Sequence, residues 1–84
     1  MGVVVAFPRW RVITRDEGFA PGDPVEVVDP AGVRHPVLQV LRRRLVATAD
    51  PVDRFLHEVT VRTPAGRLLL RWLEGDEDWE VVPL

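Results

Sequence analysis

The sequence predicts a small, mainly β domain: an antiparallel meander of about five to six strands, curled into a barrel or rolled sheet. Three observations predict it. Apolar and polar residues alternate with period two along much of the chain, valine is the commonest apolar residue, and proline and glycine turn signals recur at short intervals. The 84 residues make one domain spanning 1–84, because a chain of this size buries only about 60–65% of its unfolded surface and cannot feed two cores. With 46% hydrophobic and 29% charged residues, the chain lies in the range that folds rather than the range that stays disordered.

Val3-Val4-Val5-Ala6-Phe7 reads as a short buried strand. After Pro8, the segment Arg9 to Thr14 alternates, with Trp10 and Val12 inward and Arg9 and Arg11 outward. Asp16 to Pro24 holds two glycines and two prolines and is a loop. Two segments then share the pattern V-x-V-x-[DT]-P-A-G at an offset of 34, Val25 to Gly32 and Val59 to Gly66. Proline presets the first central turn position and glycine supplies a positive φ, so each segment opens a hairpin. Shared turn chemistry accounts for the likeness without duplication.

Side-chain chemistry fixes both registers. In the second hairpin, Thr63 opposite Gly66 sets Val61 against Leu68, Val59 against Leu70 and His57 against Trp72 on the apolar face. It sets Glu58 against Arg71 and Arg62 against Arg67 on the wet face. A one-residue slip would put Arg71 among the valines. The first hairpin requires a three-residue loop, since only then do Val25, Val27 and Val37 share a side. The last strand is Trp79 to Pro83, with Trp79 and Val81 inward, after the acidic turn Glu74 to Asp78.

Residues 36–48 support two readings. Val37, Leu38, Leu41 and Leu45 fall near one helical face behind Pro36, which makes α+β with one helix at about 36–48 the rival fold. His35 is a poor N-cap, however, and the alternation suits a strand pairing with Arg54 to Thr63 across an Asp50-Pro51-Val52-Asp53 turn. The strand is the expectation. Arg43 then points inward between two outward arginines, so a bulge or a buried partner must accommodate it.

Composition narrows the chemistry. The chain contains no cysteine, serine or tyrosine, which leaves no thiolate metal site, disulfide or hydroxyl triad. His35 and His57 lie in strand-like sequence, and no glycine-rich phosphate loop occurs. The expectation is therefore a protein that is not an enzyme and has no cofactor or metal. All eleven basic residues are arginine, and with eight prolines and a single side-chain amide, Gln39, they suit a heat-adapted organism. No apolar run reaches the roughly 20 residues of a membrane span, so a soluble cytoplasmic protein without membrane partners is expected.

The net charge of −2 divides unevenly, with +2 in residues 1–44 and −4 in residues 45–84. Two functional readings follow. The first is a small protein-interaction or regulatory module, self-associating as a homodimer or binding a protein partner through apolar sheet edges and complementary charge. The second is a nucleic-acid-binding small barrel that contacts phosphates through Arg9, Arg11, Arg42, Arg43 and Arg44 and stacks a base on Trp10. Pairing of the arginines with acids would oppose the second reading.

Overall fold

A computed structural model describes residues 9–15, 22–48, 54–76 and 78–84. The expected strand Val3 to Phe7, most of the loop from Asp16 to Pro24 and the Asp50 to Asp53 turn lie outside these residues. Seven strands are described: β1 (Arg11–Thr14), β2 (Pro24–Val28), β3 (Arg34–Pro36), β4 (Gln39–Ala47), β5 (Phe55–Thr63), β6 (Gly66–Leu73) and β7 (Glu80–Pro83). They form a three-stranded antiparallel sheet in the order β1-β2-β3 and a four-stranded antiparallel sheet in the order β4-β5-β6-β7.

The mainly β class holds, and the described strands form two open sheets rather than a closed barrel. The reason is at Val37-Leu38. The Val37 N–H bonds back to the Val25 carbonyl in the first sheet, while the Leu38 N–H bonds to the Arg62 carbonyl in the second. The chain changes sheets between these two residues, so the segment 36–48 divides into the end of β3, a corner and β4. Residues 36–48 are strand and corner, not helix. Long-range pairing with β5 satisfies the β5-facing half of the β4 backbone and overrides the helical spacing of its leucines.

Both hairpins take the expected registers. Asp29 pairs with Val33 across Pro30-Ala31-Gly32, with Gly32 at φ 84°, and Val27 faces His35. Thr63 pairs with Gly66, and Val61, Val59 and His57 face Leu68, Leu70 and Trp72. At the start of β2, Gly22 approaches the Arg15 carbonyl so closely that any side chain would run into it. The Arg15 N–H bond to the Asp23 carbonyl, 2.9 Å, closes this approach.

The two sheets pack through their inner faces. Val27 of the first sheet is fully buried with Val59, Val61, Leu68 and Leu70 of the second, and Trp10, Val12, Val37, Val40, Trp79 and Val81 pack around them. Each of these is an inward position in the alternation, so the central part of one face of each sheet is removed from water. The opposite face of the four-stranded sheet carries its charged residues, Arg43 excepted.

Candidate functional site

The registers order the outer face of the four-stranded sheet into rows that cross β4, β5, β6 and β7. One row reads Arg44, Glu58, Arg71, Glu80, alternating in sign. Arg71 lies 3.7 Å from both Glu58 and Glu80. Its Nε is buried and makes no hydrogen bond, so charge rather than a bonded fork holds it there. The neighbouring row is Arg42, Thr60, Leu69, Val82, and the next sets Gln39, Arg62 and Arg67 side by side. Arg42, Arg44, Arg62 and Arg67 are exposed, and none of their side chains has a hydrogen bond or ion pair among the described residues.

A bulge places the arginines of β4. Val40 faces Val61 and Arg42 faces Thr60, which leaves Leu41 without a partner across the ladder. Past the bulge, Arg42 and Arg44 point outward and Arg43 faces Val59 on the inner side. Arg43 is accommodated there by an ion pair with Asp23, in which both side chains remain more than half exposed. The inward arginine thus has the expected bulge beside it, and its partner is exposed rather than buried.

The six residues singled out in the sequence do not form one cluster. Arg9 pairs with Asp78 at 3.5 Å. Arg11 lies on β1, opposite Val28, on the outer face of the three-stranded sheet. Trp10 packs against the core, its ring centroid 6.3 Å from that of His35. Arg43 is tied to Asp23, and only Arg42 and Arg44 share a face. Arg62 and Arg67 join them on that face. Their direct opposition was visible in the sequence as a like-charge liability, and the structure provides no acid among the described residues to relieve it.

The histidines and the acidic turn are occupied. His35 Nε2 lies 2.9 Å from Asp29 Oδ2, and His57 Nε2 lies 2.9 Å from Glu74 Oε1, on different sheets and with different carboxylates. In the turn, Asp76 pairs with Arg54, Asp78 with Arg9 and Glu80 with Arg71. No group of three metal-binding side chains occurs among the described residues. No described helix is long and apolar enough to cross a membrane.

Asp29 organises the first hairpin and predicts a pH dependence. Its carboxylate accepts bonds from His35 and from the Val33 and Ala31 N–H groups, each 2.9 Å. The His35 bond first and the Val33 N–H next hold its pKa below the ordinary carboxylate value, against the opposing effect of burial. The folded state therefore binds this proton less readily than the unfolded chain does. The stabilisation is complete above the unfolded value, about 4, and is lost as pH falls through the lowered folded value. The melting temperature of Asp29→Asn should lie below that of the parent at pH 6, and the gap should close as the pH drops below about 4. A gap of constant size from pH 6 to pH 2 would show that charge on Asp29 is not the cause.

No family model matches the chain, and no curated protein or solved structure matches it either.

Proposed function

We propose that the protein is a small interaction module that docks an acidic protein partner on the arginine-bearing outer face of its four-stranded sheet. One observation carries this reading: Arg42, Arg44, Arg62 and Arg67 stand together on that face without ion-pair partners among the described residues, while Arg9, Arg34, Arg43 and Arg71 are each matched to an acid. Exposed guanidinium groups set side by side repel one another, and an incoming carboxylate surface removes that cost while accepting forked hydrogen bonds. Individually such contacts are weak, but several within one Debye length of about 8 Å steer association together.

A protein partner is favoured over nucleic acid by what the face lacks. The rows contain Thr60, Leu56, Leu69, Leu73, Val46 and Val82 between the charges and no aromatic side chain on which a base could stack. Trp10, the stacking residue of the nucleic-acid reading, packs against the core.

Fluorescence anisotropy tests the proposal with labelled poly-glutamate and with single-stranded and duplex oligonucleotides, each at low and moderate salt. Poly-glutamate should bind, weaken as salt rises, and lose most of its affinity on combined Arg42→Ala and Arg44→Ala substitution. Tighter binding of either oligonucleotide would transfer the face to nucleic acid. Absence of poly-glutamate binding at low salt would overturn the reading. Sedimentation velocity covers self-association: a dimer dissociated by the same substitutions would make a second copy the occupant and also overturn it.

A further inference from the structure

Resting on that reading, we infer that the acidic partner enters as an added strand along the open edge of β4. Among the described residues no strand lies beyond β4, whose nine residues are exposed except at Val40 and Val46. The Thr48 N–H bonds to the Arg54 carbonyl on the β5 side. Since successive residues of an antiparallel strand direct their amides to opposite sides, the N–H and C=O groups of Arg43, Leu45 and Ala47 face the open edge. These groups are a template for a further strand.

The charge ladder specifies that strand. Read from β7 to β4, the row runs Glu80, Arg71, Glu58, Arg44, and it stops on a cation at the open edge. Continuing the alternation requires an acid beside Arg44, and a second acid two residues away beside Arg42. On the inner face the same strand would meet Leu45, which is 58% exposed, with an apolar side chain. The opposite edge already holds a strand of this kind. In β7, Glu80 faces Arg71 on the outer side and Val81 faces Leu70 on the inner side.

A second copy is a poorer occupant: centred on Leu45 it would set Arg44 against Val46 and bring no acid to either arginine, and centred on Arg43 it fares worse. Two β4 strands paired antiparallel about Arg43 would set Arg42 against Arg44 of the copy and Arg43 against itself, and like charges directly opposite are destabilising. The bulge at Leu41 leaves 42–47 as the regular part of the edge and limits the docked segment to a short stretch.

The test is an anisotropy titration of the whole chain with a short peptide alternating glutamate and valine, alongside the same peptide N-methylated at alternate backbone amides. Methylation keeps the charges and removes the strand hydrogen bonds. The parent peptide should bind, with roughly a tenfold loss on N-methylation and on Arg44→Ala, the scale of one lost hydrogen bond to a charged or backbone group. Amide exchange at Arg43, Leu45 and Ala47 should slow in the complex. Equal binding of the methylated peptide with unchanged exchange would overturn strand addition and leave docking on the face. Amides already protected in the free protein would overturn it as well, because the edge would be occupied. Failure of both this peptide and poly-glutamate to bind would remove the underlying reading.

Discussion

Leu70→Ala is expected to remove about 4 kcal/mol of stability, within the range for truncating a fully buried leucine in a packed core. Leu70 is 0% exposed, and in the sheet it lies between Val59 and Val81 while Val27 closes the core from the other sheet. Its loss leaves a cavity that two sheets joined by short turns cannot collapse to fill. Small domains are stable by only about 5–15 kcal/mol, so one substitution would remove a large part of the total. Chemical denaturation should show a lower midpoint with an unchanged slope. A loss below about 1 kcal/mol would mean that the sheets do not pack through this residue.

Trp72→Ala is expected to cost about 3 kcal/mol, at the low end for an aromatic truncation because the ring is only half-buried. The indole lies 5.1 Å from the His57 ring and 6.2 Å from the Trp79 ring, and its Nε1–H donates to the Asp76 carbonyl at 2.9 Å. It therefore fastens the turn before β7 to the body of the sheet. Trp72→Phe keeps most of the packing and loses the donor, and about 1 kcal/mol should follow. Equal losses for the two variants would assign the whole effect to the hydrogen bond.

What could be read from the sequence was local. The two hairpins were legible because turn residues, valine spacing and the Glu58–Arg71 pairing all select one register, so a slip would violate several constraints together. The inward positions of Trp10, Val12, Trp79 and Val81 followed from the same alternation. The division of 36–48 did not, because Val37 and Leu38 bond to strands of different sheets and no neighbouring residue encodes that choice. For the same reason the sequence left a barrel and a rolled sheet both open, where the described strands form two open sheets.

The arginine surface was legible in part. Adjacent alternation put Arg42 and Arg44 on one face and the expected pairing set that strand beside Arg54 to Thr63, whereas bringing them onto the face of Arg62 and Arg67 required knowing where the bulge falls. Arg43 and Asp23 are twenty residues apart, and nothing local to either announces the pair. Arg9 and Trp10 were set beside the arginine run by composition, while the fold engages one with Asp78 and packs the other against the core.

The bulge in β4 separates chain length from chain pairing. Because Val40 faces Val61 and Arg42 faces Thr60, a chain lacking Leu41 would retain every cross-strand neighbour of β4 and every side chain on its present face. What it would lose is the kink. A straight edge bearing exposed leucines is the form on which chains stack into cross-β aggregates. Leu41 thus adds no rung to the β4–β5 ladder and instead sets the line along which the edge strand runs.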